Sequence, residues 1–182
     1  MQLVEFTSHG MYCPPADVYI DPHRAVNKAI VTHAHADHAR PGHRGYLCTH
    51  SSLPLIRLRL GRHIQASSYG YGETFIINGV AFTFFPAGHV VGSAQIRIAY
   101  KGEVWVVSGD YKRHHDGLAE PFEVVPCHCF ITESTFGLPI YQWQPPHIVF
   151  EEMKQWWQEN SKMGKPSLVS AYSLGKAQRL IY

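Results

Sequence analysis

Short runs of apolar and β-branched residues, separated by Gly, Pro and Asn, recur along the chain before residue 110 and predict strands. Asn78-Gly79 lies between two of these runs and predicts a tight hairpin, and Lys101-Gly102 predicts a second one. The predicted strands span residues 18–20, 29–32, 74–77, 80–85, 94–100 and 103–107.

Apolar residues at helical spacing predict fewer elements. Residues 37–40 can begin a helix, with Asp37 near its positive end, and residues 51–60 carry an apolar side that predicts a second helix. A strand at 166–171 and a helix at 175–181 complete the chain. Strands first, then strands alternating with helices, predict an α/β (α+β) architecture with sizeable sheets.

Pro145-Pro146 precedes an amphipathic helix that is predicted to run to about Lys162. Its apolar positions include Trp156 and Trp157. We expect these tryptophans to belong to a core stripe, in preference to a base-stacking platform, because their spacing is helical.

The bulk composition is that of an ordinary globular protein, with 45% hydrophobic and 16% charged residues among 182. The formal charge of +2 is too small to indicate a nucleic-acid partner by itself, although a local basic groove can still bind one. No apolar run reaches the roughly 18 residues of a membrane helix, and residues 1–7 lack the basic and long apolar regions typical of a signal peptide. These features predict a soluble cytoplasmic protein without a membrane partner. The last helix reaches Tyr182 without a stop signal, which indicates truncation.

The four cysteines do not show C-x-x-C spacing. Cys127 and Cys129 are separated by one residue in an apolar run, so we expect small buried residues of a reducing compartment. A structural zinc site built from them is disfavoured by that spacing.

Histidine is the anomaly of the composition, with 13 residues, several of them in short stretches. Three lie in the segment His33-Ala34-His35-Ala36-Asp37-His38. This segment follows a predicted strand, where an α/β sheet offers side chains to a crevice. Three imidazoles and one carboxylate suit Zn²⁺, with Mn²⁺ as an alternative. A solvent-exposed histidine cluster is the competing interpretation, which the spacing and setting disfavour.

Two further candidate ligands follow other predicted strands. His89 lies in a glycine-flanked loop after residues 80–85, and Asp110 follows residues 103–107. Together with the first segment they predict two ion sites, with Asp110 placed to bridge them and Asp37 and His38 in the second site. The first site is expected to contain His33, His35 and His89.

A pair of divalent ions suits phosphodiester hydrolysis, because it can activate a water molecule and stabilise the attacking and leaving oxygens. Asp21 follows the strand at 18–20 and is a candidate for orienting a ligand imidazole. A turn residue before Pro22 is an almost equally good interpretation of Asp21 from spacing alone.

These motifs resemble the metallo-β-lactamase superfamily. Residues 87–94, 108–111 and 132–137, the last with the letters TESTFG, resemble its β-CASP branch of nucleic-acid-processing enzymes, as does the segment 173–179. Within that branch the chain is most similar to bacterial ligase-associated DNA exonucleases, which are also called mRNA 3′-end processing factors.

The resemblance implies a four-layer αβ/βα sandwich, incomplete here, with the start of an inserted β-CASP domain. It implies a metallo-β-lactamase domain over residues 1–144 and the beginning of the β-CASP domain over 145–182. Asp21, Asp37 and Asp110 are implied to be catalytic, and Glu133 falls on the branch's first additional acidic motif. Later motifs of the branch, including a proton-donating histidine, are expected beyond Tyr182.

The implied function is that of a two-metal DNA exonuclease that repairs DNA with an ATP-dependent DNA ligase. An RNA 3′-end processing nuclease is the nearest alternative, because it would use the same metal chemistry. A catalytically inactive nucleic-acid-binding subunit is a further alternative, disfavoured because all expected ligands are present. A small-molecule hydrolase is disfavoured by residues 133–135 and 175–179.

Overall fold

The computed structural model describes residues 2–181 and contains two β-sheets and three α-helices. Contacts divide the chain into two compact units, Met1–Glu133 and Ser134–Tyr182. Met1 and Tyr182, the outer ends of the two predicted domains, lie outside the described residues. The expected α/β architecture with sizeable sheets is confirmed.

The first sheet has six strands in chain order. Its first three strands are antiparallel neighbours, and the next three continue in parallel, so the ends of strands 3 to 6 point the same way. Parallel strands require crossovers, and one crossover contains helix α1, Leu53–Leu60. The strands are β1 Glu5–Thr7, β2 Gly10–Cys13, β3 Val18–Ile20, β4 Lys28–Ile30, β5 Gly45–Thr49 and β6 Ala66–Tyr69.

The second sheet has five strands and contains both predicted hairpins. Asn78 and Gly79 have φ values of +50° and +81°, as a two-residue turn between antiparallel strands requires. The last strand of this sheet pairs in parallel with its neighbour. The strands are β7 Thr74–Ile77, β8 Val80–Pro86, β9 Ala94–Tyr100, β10 Glu103–Val107 and β11 Cys129–Ile131.

The apolar faces of the two sheets form one core. Val18 and Ile20 of the first sheet belong to the same buried cluster as Phe82, Phe84 and Ile96 of the second. Alternation along each strand places these side chains on one face, and their burial is the main stabilising contribution to this unit. The loops at the strand ends of both sheets are therefore held at fixed positions.

The second unit contains helix α2, Pro146–Lys162, and helix α3, Lys176–Ile181. The expectation that Trp156 and Trp157 belong to a core stripe of α2 is wrong for this unit. The two side chains are 43% and 66% exposed, and no residue of α2 is buried. The predicted strand at 166–171 is also absent from the described chain, and residues 165–172 form no regular element. Without a partner strand in this unit, the apolar run has no ladder to join.

Two smaller expectations also differ from the structure. Residues 37–40 form a turn and not the start of a helix, and Thr32 lies beyond the end of β4. Cys127 and Cys129 are half-buried, whereas Cys13 and Cys48 are fully buried; all four are free thiols. In the described part of the chain, no helix combines the length and apolar character needed to cross a bilayer.

Candidate metal centre

The histidine-rich segment after β4 is held by backbone hydrogen bonds to both sheets. The N–H of Val31 donates to the carbonyl of Leu47 at 2.8 Å, and the N–H of Ala94 donates to the carbonyl of Thr32 at 2.8 Å. The chain then turns tightly, because the N–H of Ala39 donates to the carbonyl of His35 at 2.8 Å. This turn replaces the predicted helix and directs the side chains of the segment towards the second sheet.

Four side chains that the sequence nominates as ligands meet at the ends of strands from both sheets. Nε2 of His33 is 3.0 Å from Nδ1 of His35, which is 3.2 Å from Nε2 of His89. One potential ligand atom from each of these residues and one from Asp110 lie within 4.8 Å of one another. The group contains the three histidines predicted for the first ion site together with Asp110, and it could hold a metal ion.

The spacing of these atoms fits a tetrahedral cation. Zinc binds imidazole nitrogens at about 2.0–2.1 Å, so two nitrogens on a tetrahedral ion are separated by about 3.3–3.4 Å. The separations of 3.0 and 3.2 Å between the three histidines are close to that value. His33, His35, His89 and Asp110 could hold such an ion with little rearrangement.

The two oxygens of the Asp110 carboxylate face different histidines of the predicted centre. Its Oδ2 lies 3.7 Å from Nε2 of His33 and 3.6 Å from Nε2 of His89. Its Oδ1 lies 3.4 Å from Nε2 of His38. One carboxylate oxygen of Asp110 therefore faces His33 and His89, and the other faces His38.

Asp37 and His38, the predicted second pair of ligands, are adjacent but less enclosed. Oδ2 of Asp37 lies 3.7 Å from Nε2 of His38, and the side chain of Asp37 is 71% exposed. Neither residue belongs to the compact group of four. Nε2 of His38 therefore faces two carboxylates, those of Asp37 and Asp110, at the open side of the centre.

Asp21 lies behind His38. Its Oδ2 accepts a hydrogen bond from Nδ1 of His38 at 2.7 Å and another from the hydroxyl of Thr32 at 2.6 Å. Its Oδ1 accepts the backbone N–H of Thr32 at 2.8 Å. The carboxylate thus fixes both the entry of the histidine segment and the orientation of one imidazole.

The loop that carries His89 is closed by a serine and requires a glycine. The hydroxyl of Ser93 accepts the backbone N–H groups of His89 and Val90 at 3.1 and 3.2 Å. Gly88 has φ +73°, and a Cβ atom there would overlap the carbonyl oxygen of Lys112. Only glycine can bring the backbone this close, which positions His89 beside the histidines of the other sheet.

The environment sets the protonation of these ligands. Burial lowers the pKa of His33, and the nearby His38 and His89 lower it further. Burial also lowers the pKa of His89, while Asp110 and, to a smaller extent, Glu133 raise it. Neutral imidazole is the form that binds metal ions, and the lowered pKa values of His33 and His89 favour that form.

His38 and Asp110 influence each other in the opposite sense. A hydrogen bond with His38 lowers the pKa of Asp110 to about 2, against the effect of burial. Burial alone would lower the pKa of His38, but hydrogen bonds to Asp110 and Asp21 raise it to about 10. His38 is therefore a cation between carboxylates, and a divalent ion would take the place of its proton.

Glu133 lies just after β11, at the end of the first unit. Its backbone N–H donates to the hydroxyl of Ser108 at 3.4 Å, and its charge reaches His89. His114, His115 and His147, which do not match the motifs, are exposed. Thr32 and Ser93 also support the site, although sequence reasoning assigned no role to them: Thr32 precedes His33 directly, and Ser93 lies in the motif of residues 87–94.

Comparison with known proteins finds relatives by sequence. No family profile matches the chain. A protein of Opitutus terrae named "Probable DNA ligase" is 32% identical over 177 residues, which are 96% of this chain and 17% of that protein. The "Endoribonuclease ysh1" of Aspergillus fumigatus is 33% identical over 136 residues, 72% of this chain and 14% of that protein.

A plant relative and a solved structure extend the comparison. The "Cleavage and polyadenylation specificity factor subunit 3-I" of Arabidopsis thaliana is 26% identical over 206 residues, covering 94% of this chain and 29% of that protein. The chain thus spans less than a third of these relatives. YhfI of Bacillus subtilis, described as a metallo-beta-lactamase fold protein, aligns at 12% identity with a TM-score of 0.43, over 55% of this chain and 53% of that one.

The two facing sheets, the histidine and aspartate ligands at their strand ends and the sequence relatives define the class of this protein. The chain belongs to the β-CASP branch of the metallo-β-lactamase superfamily. Its first unit contains the two sheets and one helix of the αβ/βα sandwich.

Proposed function

We propose that the protein is a metal-dependent nuclease that hydrolyses phosphodiester bonds in DNA. The observation that carries the proposal is the position of Asp110, with one oxygen towards His33 and His89 and the other towards His38. A carboxylate shared in this way suits a pair of cations, which is a common device for phosphoryl transfer.

Each residue of the centre has a distinct part in this proposal. When bound, two divalent ions would supply an activated water molecule and neutralise charge on the phosphoryl oxygens. His33, His35 and His89 would hold one ion, and Asp37 and His38 the other, with Asp110 between them. Zinc is proposed because the nitrogen spacing suits it; manganese is the alternative, since carboxylates also accept harder ions.

Asp21 and Glu133 are proposed to act from the sides of the centre. Asp21 holds Nδ1 of His38, so that Nε2 remains directed at Asp110. Glu133 is close enough to raise the pKa of His89, and its position after β11 places an acid at the same strand-end edge as Asp110. We propose that Glu133 takes part in proton transfer there, with a partner that these residues do not identify.

The choice of DNA, and of an ATP-dependent DNA ligase as a functional partner, is supported by the relative named as a DNA ligase, which aligns with 96% of this chain. RNA 3′-end processing is the second candidate, supported by the endoribonuclease and the cleavage and polyadenylation factor. Both candidates use the same centre, so the substrate must be decided by assay. Cytoplasmic location is proposed because all four thiols are free.

Residues 1–144 are proposed to belong to the metallo-β-lactamase domain and residues 145–182 to the inserted β-CASP domain. The proposal is supported by the division of the chain into two compact units, with a boundary that falls somewhat earlier, after Glu133. Helix α2 begins at Pro146 and would be the first element of the inserted domain.

The decisive experiment uses the full-length protein with 5′- and 3′-end-labelled DNA and RNA of one sequence, in the presence of Zn²⁺ or Mn²⁺. We expect cleavage of DNA from an end, and a loss of roughly 10³-fold or more in Asp110→Ala. Glu5→Ala, which removes an exposed carboxylate from β1, is the charge-matched control and should retain activity.

The outcomes separate the parts of the proposal. Nuclease activity retained in Asp110→Ala would remove the metal centre from the mechanism. Cleavage of RNA alone would establish the RNA-processing candidate in place of the DNA exonuclease. Cleavage of neither nucleic acid by the wild-type protein would reject the nuclease proposal as a whole.

A further inference from the structure

Two arginines are tethered to the backbone of the histidine segment. Nε of Arg59, in helix α1, donates to the carbonyl of Ala34 at 2.8 Å. Nε of Arg40, just after the segment, donates to the carbonyl of Asp37 at 3.1 Å. Ala34 stands between His33 and His35 in the chain, so both guanidinium groups lie against the backbone that presents the ligands.

Each tether uses one of the five N–H groups of a guanidinium and leaves the four on the terminal nitrogens. Both arginine side chains are exposed. Within residues 2–181, neither arginine forms an ion pair. The carboxylate of Asp37, whose carbonyl holds Arg40, lies near His38 instead. Two fixed positive charges with unused donors therefore face solvent beside the candidate metal centre.

This concentration of positive charge favours the binding of an anion. The arginines are permanently charged, and cations bound by the adjacent ligands would repel them at short range. A phosphate group relieves the repulsion and matches the planar fork of a guanidinium in two parallel hydrogen bonds. A strand that carries successive phosphate groups could bind both arginines and the ions at the same time.

We propose that Arg40 and Arg59 bind the phosphate groups that flank the scissile phosphodiester of a nucleic-acid strand. The proposal rests on the nuclease function above and adds the contacts that align the strand over the metal centre. Because each Nε is held by a carbonyl, the fork is oriented before substrate arrives, and little side-chain entropy is lost on binding. These contacts read the backbone and carry no base specificity.

The competing explanation is that the two arginines only stabilise the loop. A structural tether predicts that Arg59→Ala and Arg40→Ala lose metal ions together with activity. Phosphate contacts predict that metal binding is retained while affinity for nucleic acid falls. Arg57 lies on the same helix and is exposed, with no side-chain hydrogen bond to the histidine segment, so Arg57→Ala is a matched control for the loss of one charge.

The test measures binding of a fluorescein-labelled, phosphorothioate single-stranded DNA to the full-length, metal-loaded protein by anisotropy, from about 50 to 200 mM salt. Each phosphate contact contributes roughly 0.7 to the slope of log affinity against log salt for single strands. We expect that slope to fall by about that amount in Arg40→Ala and in Arg59→Ala, and by less in Arg57→Ala. Zinc content should equal that of the wild type in all three variants.

Arg59→Lys keeps the charge and removes the fork, so it should weaken binding by a smaller factor than Arg59→Ala and restore part of the salt slope. A slope equal to that of Arg57→Ala, or a loss of zinc in step with the loss of binding, would overturn the proposal. If wild-type protein bound and cleaved no nucleic acid, the nuclease function would fail as well. If the wild-type protein cleaves nucleic acid and the arginine variants bind it as tightly as the wild type does, only this inference is rejected.

Discussion

Nδ1 of His38 donates to Oδ2 of Asp21 across 2.7 Å, and the opposite ring nitrogen faces Oδ1 of Asp110 at 3.4 Å. Asp21 also accepts both the backbone N–H and the hydroxyl of Thr32. The carboxylate of Asp21 therefore determines which nitrogen of His38 is available to a metal ion. It also holds the start of the histidine segment in place.

Removal of the Asp21 carboxylate should weaken the half of the centre that contains His38. In Asp21→Ala we expect zinc affinity at that half to fall about 10- to 100-fold, because the ring loses the acceptor that orients it. Competition titration with a chelator and measurement of bound zinc would show the stoichiometry falling from two towards one. Asp17→Asn, which alters an exposed turn aspartate, is the control, and two ions bound with unchanged affinity in Asp21→Ala would contradict the prediction.

Substitution of Gly88 should disturb His89 specifically. Gly88 and Gly72 have nearly equal φ values, +73° and +75°, but an added Cβ meets the carbonyl of Lys112 at Gly88 and nothing within 4 Å at Gly72. Gly72→Ala should cost about 1–2 kcal/mol in the free energy of unfolding, from backbone strain alone. Gly88→Ala should cost more and also reduce zinc affinity, measured by urea unfolding and chelator competition. Equal losses in both variants would show that the close contact is unimportant.

Asp116 should make stability depend on pH. Burial raises its pKa, but the backbone N–H groups of Ala119 and Leu118 and the ammonium of Lys112 lower it below the usual value. A lowered folded-state pKa contributes stability above the unfolded value of about 3.9, and the contribution is lost as pH falls through the folded value. We expect Asp116→Asn to be less stable by about 1–2 kcal/mol near neutral pH, with the difference shrinking below about pH 4.

Urea unfolding at several pH values would measure this difference. Glu5→Gln, at an exposed position of β1, should show almost none at any pH. If the loss of unfolding free energy in Asp116→Asn stays constant down to acidic pH, then packing, and not the charge, is responsible.

The thiols should divide into two classes. Burial raises the pKa of Cys48 to about 12 and also raises that of Cys13, so neither forms thiolate readily in the folded protein. Cys127 and Cys129 are only half-buried. With an aromatic disulfide reagent at about pH 8, we expect Cys48 and Cys13 to react only after unfolding. Cys48→Ser would identify the slow class, and rapid reaction of Cys48 in native protein would contradict its burial.

Four strands and both hairpins of the second sheet, β7 to β10, were predictable because local sequence determines them. Residues 74–77, 94–100 and 103–107 form strands with the predicted bounds, since alternating apolar residues end at turns that favour positive φ. Strands β1, β2, β5, β6 and β11 were not predicted. Strands β1 and β2 are short, and they pair with each other and, through β2, with β3. The sequence also nominated all four residues of the compact ligand group.

Other features depended on contacts that no local pattern contains. One such feature is the entry of the histidine segment, where Thr32 is held by Asp21 on one side and by Ala94 on the other. The tether of Arg59 to Ala34 joins residues 25 positions apart, so it has no sequence signal. The apolar residues of α2 are exposed because the described part of their unit offers no surface that covers them.

The ligands come from loops of both sheets: His33 and His35 follow β4, whereas His89 and Asp110 follow β8 and β10. A cation bound among these four residues would therefore cross-link the loops of the two sheets. Unfolding would release it, so ion at about a thousand times its Kd would add about 4 kcal/mol to stability. Cellular metal supply would then govern how long this protein survives as well as how fast it works.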